Sequence, residues 1–194
     1  GICSSAGQAL PGSFQPSDIA VIGPLARSAQ DLEWALRTMT GPDAIDGAGW
    51  KVALPKPERT TLRGWRVAVL TTHPTAETDA SVQDAILRLA RFLAKRGAKV
   101  SERARPAIDQ HEAHRIFIQL VRGATSARLS AEFIARMHEA KARLAPNDDS
   151  YFARMARANT QFHKDWLAAS NRRHEMRFAW AEFFKDWDVL LCPN

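Results

Sequence analysis

The sequence predicts an α/β protein in which a mixed, partly parallel sheet is wrapped by helices. Three observations carry this prediction. Short apolar runs bounded by Gly, Pro or charged residues are typical of buried strands. Apolar residues elsewhere recur at spacings of three and four, the period of amphipathic helices. One strand, one helix and a second strand also follow each other closely enough to form a βαβ unit, which requires parallel pairing.

The first predicted helix follows an apolar run at residues 19–22, which is broken by Gly23 and Pro24. Ser28 is the residue type that caps a helix N-terminus, and Asp31 stands in the first turn, where a negative charge is favourable. Gly41 and Pro42 predict the end of this helix.

The βαβ unit lies between residues 67 and 102. Residues 67–70 predict a short buried strand, and Thr78 or Asp79 predicts the cap of an amphipathic helix. Gly97 predicts the end of that helix, and residues 99–102 predict the second strand.

The remainder of the chain is predicted to be mostly helical. Three helical segments are expected, at residues 109–122, at residues 127–144, and from Ser150 onward, before a short final strand at residues 188–192. The third segment carries an apolar and aromatic ladder, for which packing in a core or an interface is the simplest interpretation. Its members are Phe152, Met155, Phe162, Trp166, Met176, Trp180, Phe183 and Trp187.

Composition and charge narrow the function classes. With 194 residues and 45% hydrophobic residues, the chain is long enough for one domain with a sizeable core. The net charge of +6 comes from basic residues interspersed with acidic ones along helices, which favours a solvated face over nucleic-acid binding. No apolar run approaches the length of a membrane span. Cys3 and Cys192 are interpreted as reduced thiols of a cytoplasmic protein.

The motifs that carry chemistry are mostly absent from the sequence. No Ser stands three residues before a Lys, no Gly-x-Ser-x-Gly elbow occurs, and His73 and Pro74 follow the first strand where a dinucleotide-binding turn would need glycines. His111 and His114 are spaced three apart with Glu112 between them, one residue short of the zinc-protease pattern. A solvated helix face explains them better, and no metal or cofactor is expected.

The stretch VIGPLARSAQDLEWALRTMTGPD closely resembles the segment that follows the signature region in amidase-signature hydrolases. The matching residues are Gly23, Pro24, residues 26–28, Asp31 and Leu32. Later stretches match in order and spacing, among them LRGWRVAVL, FHKDWLAASNRRHEMRFAWAEFF and DWDVLLCP. The resemblance therefore covers effectively the whole chain.

The resemblance implies that residues 1–194 are the C-terminal part of a single amidase-signature domain. Such enzymes hydrolyse a carboxamide to a carboxylate and ammonia or an amine with a Ser–cis-Ser–Lys triad, and that triad would lie upstream of this segment. The resemblance also implies a strand that runs into Gly23. No catalytic residue is assigned here, and Ser4 and Ser5 are interpreted as turn residues. Arg27 is predicted to order the turn before the first helix.

Two other function classes remain open at this point. One is a catalytically inactive amidase-like binding or scaffolding module, and the other is a basic protein associated with nucleic acid, which the charge pattern disfavours. The expected partner of an active parent enzyme is a small-molecule amide, with a homodimer as a further possibility. No nucleic-acid or membrane partner is expected.

Overall fold

The computed structural model describes residues 2–8, 18–56 and 59–193, and the chain divides into two compact units, Gly1–Glu58 and Arg59–Asn194. In the described part of the first unit lie helix α1 at Ala29–Met39 and one turn of 3₁₀ helix at Asp46–Ala48.

Helix α1 begins as the sequence predicts. The Ser28 Oγ accepts a hydrogen bond from the backbone N–H of Asp31 at 3.1 Å, so the predicted cap is confirmed. The helix ends at Met39, and Gly41, two residues further on, has a φ of 137°, which disfavours any residue with a side chain.

The strand implied for residues 19–22 is not formed. These residues adopt no regular structure, and the Val21 side chain is 84% exposed. An isolated extended segment has no neighbour to pair its N–H and C=O groups, and within the described residues no such neighbour lies beside this run. Arg27 is exposed and makes no hydrogen bond within the described part of the unit, so the structure provides no support for its predicted ordering role.

The second unit contains a three-stranded sheet in the order β2-β1-β3. The strands are β1 at Arg66–Val69, β2 at Lys99–Ser101 and β3 at Val189–Leu191. Both ladders are parallel, which confirms the parallel pairing expected from the βαβ unit. Val67, Ala68 and Val69 are each at most 2% exposed, and since successive residues of a strand point to opposite faces, both faces of β1 are covered.

Five α-helices and one turn of 3₁₀ helix at Ser126–Arg128 complete the described part of the second unit. The α-helices are α2 at Ala80–Lys95, α3 at Gln110–Thr125, α4 at Ala131–Arg143, α5 at Tyr151–Asn159 and α6 at His163–Asp186. Asp79 caps α2, and Gly97, with a φ of 90°, follows its end, both as predicted. Ile86, Ala90 and Leu93 of α2 pack on the core around β1.

The third predicted helical segment is two helices rather than one. The break falls at residues 160–162, a segment that contains neither Gly nor Pro. The Thr160 hydroxyl donates to the Ala156 carbonyl at 2.8 Å, and the Gln161 amide donates to the Ala158 carbonyl at 2.9 Å. These side chains satisfy carbonyls that a continued helix would have paired with its own N–H groups.

Close packing between helices explains one glycine of α3. A Cβ built at Gly123 would lie 2.6 Å from Trp166 Cδ1 and 2.9 Å from Gln161 Nε2. The indole of α6 therefore occupies the space that a side chain at this position would need. The same contact is reinforced by the Gln119 amide, which donates to the Gln161 side chain at 3.0 Å and to the Asp165 carbonyl at 3.1 Å.

The aromatic ladder is only partly a core. Phe183 is 8% exposed and lies at the centre of a ring cluster with Trp180, Phe184 and Trp187. Core packing is therefore confirmed for this segment, whereas Phe162 is 69% exposed. Of the helices that the structure describes, none has both the length and the apolar character required to cross a membrane.

The amino-terminal edge of the sheet is held by one carboxylate. Asp188 Oδ1 accepts from Arg66 Nη2 at 2.6 Å, and Oδ2 accepts from the Arg66 backbone N–H at 2.8 Å and from Arg59 Nη1 at 2.9 Å. The hydrogen bonds from Arg66 are the main reason that the pKa of Asp188 lies far below its usual value. This network joins the starts of β1 and β3 and was not foreseen from the sequence.

Candidate functional site

The carboxyl-terminal edge of the sheet is the most favourable place for a site in the second unit. Because all three strands are parallel, their carboxyl ends meet at one edge, the edge at which open parallel sheets bind ligands. The ladder extends one bond beyond β1, where the Leu70 N–H donates to the Leu191 carbonyl at 2.8 Å. The segments that leave this edge contain residues 70–79, residues 102–109 and residues 192–193.

The segment after β1 fixes one imidazole. The backbone N–H of Thr75 donates to His73 Nδ1 at 3.2 Å, and the Thr75 hydroxyl lies 2.8 Å from the same nitrogen. Since a backbone N–H can only donate, Nδ1 must offer its lone pair, and the neutral ring carries its proton on Nε2. The tight turn is closed by the Ala76 N–H, which donates to the His73 carbonyl at 3.2 Å.

The segment after β2 crosses the end of β1. Ser101 Oγ accepts from the backbone N–H groups of Arg103 and Ala104 at 3.2 and 3.1 Å, which turns the chain at the end of the strand. Arg105 Nη1 then donates to the Val69 carbonyl at 3.0 Å, the last residue of β1. The guanidinium is therefore placed at the carboxyl edge by a backbone contact.

Helix α3 begins at this edge and carries the two histidines of the HEAH stretch. The Asp109 carboxylate accepts from the N–H groups of His111 and Glu112, which lowers the pKa of Asp109. His111 is exposed, as predicted, but His114 is half-buried. Burial first, and then the charge of Arg154, lower the pKa of His114. Its imidazole is therefore neutral at pH 7 and can donate or accept a hydrogen bond.

The burial of His114 could have been read from the helical period. Position 114 lies four residues before Ile118, which is 5% exposed, and seven before Val121, so it shares their inward face. Glu112, between the histidines, is engaged elsewhere. Its carboxylate accepts two bonds from Arg172 of α6, each at 2.7 Å, which lower its pKa.

Other polar residues singled out in the sequence have structural roles. Ser4 Oγ accepts from the Ala6 N–H at 3.1 Å, as expected for a turn residue. Asp148 accepts from the Ser150 N–H at 2.9 Å, while Asp149 pairs with Arg154 at 2.5 Å, so this acidic pair is a cap and an ion pair. Within the described residues, no group of three or more His, Cys, Asp or Glu side chains is arranged to hold a metal ion.

The carboxyl edge therefore offers imidazole and guanidinium groups, which can orient a polar ligand by hydrogen bonds. None of the serine hydroxyl contacts in the described chain joins a serine to a lysine, the pair that a Ser–Lys hydrolase needs. That the catalytic residues lie outside these 194 residues stays a prediction.

Comparisons with known proteins point in one direction. A family model described as Amidase matches residues 1–194. An indoleacetamide hydrolase of Bradyrhizobium diazoefficiens is 28% identical over 175 residues, which cover 89% of this chain and 31% of that protein. The chain thus spans about a third of the length of the curated relative that it matches.

Proposed function

The chain belongs to the amidase family, and from that premise we propose that it takes part in the hydrolysis of a carboxamide to a carboxylate and ammonia or an amine. The observation that carries the proposal is the family match, which runs over all 194 residues. Membership of the family supports amide hydrolysis as a class of reaction.

The proposed chemistry uses a serine nucleophile, a bridging serine and a lysine base, in residues outside this chain. The lysine must lose its proton to act as a base, and burial lowers the pKa of an amine for that purpose. Backbone N–H groups would stabilise the oxyanion that forms when the nucleophile attacks the carbonyl. The coverage of the relative, 31% of its length, supports this division because most of the matched protein lies outside the aligned segment.

This chain would contribute part of the wall of the substrate cavity. The supporting feature is the carboxyl edge of the sheet, where the guanidinium of Arg105 contacts the Val69 carbonyl at the end of β1. Burial is the main cause of the lowered pKa of His114, and its half-buried imidazole is also near enough to His73 for the charge of His73 to lower that pKa further. An uncharged amide both accepts and donates hydrogen bonds, so imidazole and guanidinium groups suit it better than an array of carboxylates would. A cytoplasmic location and a small-molecule substrate are part of the same proposal, and a homodimer is compatible with it.

The test is an activity assay on the protein expressed from its complete open reading frame. Ammonia release is measured with a panel of primary amides, including indole-3-acetamide, benzamide and propionamide. We expect turnover of at least one of them, and no turnover by the isolated 194-residue chain under the same conditions. The isolated chain is the matched control because it contains every residue discussed here.

A contrary result has a defined meaning. If the complete protein is folded, as judged by a cooperative thermal transition, and hydrolyses none of the amides, the proposal of amide hydrolysis fails. The inactive binding or scaffolding module then becomes the better interpretation. If the isolated chain is itself active, the placement of the catalytic residues outside it is wrong.

A further inference from the structure

A groove opens at the amino-terminal edge of the sheet, at the end of the strands opposite to His73 and Arg105. Its volume is about 440 Å³, which lies within the range of small-molecule sites. It is formed by the segment before β1 and by the last turn of α2. The lining residues are Arg59, Thr60, Thr61, Leu62, Trp65 and Arg96.

Backbone hydrogen bonds hold both walls of this groove. The Gly64 N–H donates to the Gly97 carbonyl at 2.8 Å, and the Lys99 N–H donates to the Trp65 carbonyl at 2.7 Å. The Trp65 indole N–H donates to the Thr61 carbonyl at 2.9 Å, which closes the segment on itself. The backbone on both sides of the groove is therefore fixed, and the side chains of Arg59, Thr60, Thr61, Leu62 and Arg96 are exposed at its surface.

Two guanidinium groups line the groove, and they differ in the number of contacts that they make with the protein. Arg59 Nη1 bonds to Asp188 and to the Gly64 carbonyl, and the group lies 5.7 Å from the centroid of the Trp65 ring. Arg96 lies over the Phe92 ring at 4.9 Å, and within the described residues no carboxylate contacts it. Arg96 therefore retains its full set of donors for a ligand.

Among the residues that line the groove, Arg59 and Arg96 carry a positive charge and none carries a negative charge. Asp188 is already shared between Arg66 and Arg59. The unbalanced positive charge favours an anion and raises the rate at which one arrives.

We propose that this groove binds a small molecule that carries an oxyanion, either a phosphate or a carboxylate. The planar fork of Arg96 would take the oxyanion, since guanidinium matches both groups in two-point geometry. The hydroxyls of Thr60 and Thr61, which make no hydrogen bond within the described chain, would donate to the remaining oxygens. The indole of Trp65 and the side chain of Leu62 would contact the apolar part of the ligand.

This inference goes beyond the proposed function and does not depend on it. The groove lies at the opposite edge of the sheet from the candidate site, so binding there can be measured without turnover of any amide. Failure of the amidase assay and failure of the binding assay are therefore distinguishable results.

The experiment titrates the protein from its complete reading frame with pyrophosphate and, separately, with benzoate. Isothermal titration gives the stoichiometry and the affinity of binding. The test variant is Arg96→Gln, and the matched control is Arg91→Gln, which removes the same charge from an exposed position of the same helix outside the groove. A second variant, Thr61→Val, removes one donor while keeping the carbonyl that anchors Trp65.

We expect one saturable site for at least one probe, with affinity lowered tenfold or more by Arg96→Gln, lowered several-fold by Thr61→Val and unchanged by Arg91→Gln. A preference for pyrophosphate identifies a phosphate ligand, and a preference for benzoate identifies a carboxylate. Three results would overturn the proposal: no saturable binding of either probe, equal loss in both arginine variants, or binding of several anions per chain. Equal loss in both arginine variants, or binding of several anions per chain, would indicate non-specific attraction of anions to a basic surface rather than one site.

Discussion

Replacement of Asp188 by Asn should destabilise the second unit of this protein. The carboxylate accepts four hydrogen bonds from Arg66 and Arg59, and its side chain is only 19% exposed. The amide can keep the bond from the Arg66 N–H, but its NH₂ group would face guanidinium donors. Asn at this position therefore removes the charge and turns one acceptor into a clashing donor.

The expected loss follows from the bonds that disappear. A hydrogen bond to a charged group contributes about 1.5–3 kcal/mol when it is shielded from water, and breaking one partner of a buried pair costs more. Arg59 is 43% exposed, so its contribution is screened by solvent and is set near zero. Arg66 is itself 35% exposed, so its bonds are screened as well, and the loss expected from the Asp188 carboxylate is about 1–2 kcal/mol. For a chain of this size that corresponds to a fall in Tm of about 2–8 °C.

Thermal unfolding followed by circular dichroism measures this at pH 7, with Glu139→Gln as the control. Glu139 pairs with Arg143 at 4.0 Å, and the two side chains are 68% and 81% exposed, so no measurable change is expected there. Equal Tm values for Asp188→Asn and Glu139→Gln would refute the reasoning.

The same variant has a defined pH dependence. The pKa of Asp188 is held below its unfolded value of about 3.9, so its contribution is fully present above that value and is lost as pH falls toward the folded pKa. The difference in Tm between the wild type and Asp188→Asn should therefore be constant from pH 7 to 5 and shrink below pH 4. A difference that stays constant to pH 3 would show that the charge is not its source.

Three further predictions rest on single contacts. Gly123→Ala should lower Tm despite the higher helix propensity of Ala, because the added Cβ would lie 2.6 Å from Trp166 Cδ1. Gly47→Ala is the control, since the atom nearest to its added Cβ lies at 3.8 Å. A higher Tm for Gly123→Ala would contradict the close packing at this position. His114 should make the fold sensitive to acid, because its pKa is lower in the folded state than in the unfolded state. Its contribution to stability is therefore complete above about pH 6.5 and decreases below that pH. His114→Gln should reduce the change in Tm between pH 7 and 5.5, and an unchanged dependence of Tm on pH would disprove this prediction. Ser28→Ala should cost α1 about 1 kcal/mol, measured by urea unfolding, whereas Ser28→Asp should not, and equal loss in both variants would argue against capping.

Local signals predicted the helices and strands that local contacts form. Ser28 caps α1 through a residue three positions away, and Gly97 follows α2 because its positive φ is costly for other residues. In these cases the sequence neighbours of a residue determine its structure. The parallel pairing was likewise predictable because a short strand–helix–strand connection permits little else.

The features that the sequence did not predict depend on contacts between residues that are far apart in the chain. Asp188 and Arg66 are 122 residues apart, so nothing near either residue reveals their contact. The break between α5 and α6 depends on Thr160 and Gln161, which are ordinary helix residues, and on Gln119, which lies 42 positions before Gln161. The strand implied at residues 19–22 failed for a related reason, since an extended segment is stable only when a neighbouring strand pairs with it.

The two edges of the sheet differ in the contacts that they make. At the amino-terminal edge, Asp188 ties the first residues of β1 and β3 to Arg59, so both strands start from a fixed point. Because a strand of three or four residues is short and stiff, fixing its start also fixes where its last residue lies. His73 and Arg105, which follow β1 and β2, are held beyond the carboxyl edge by hydrogen bonds of their own, to Thr75 and to the Val69 carbonyl. Polar groups used for binding need rigid support, and here it comes from these bonds and from residues far from the candidate site.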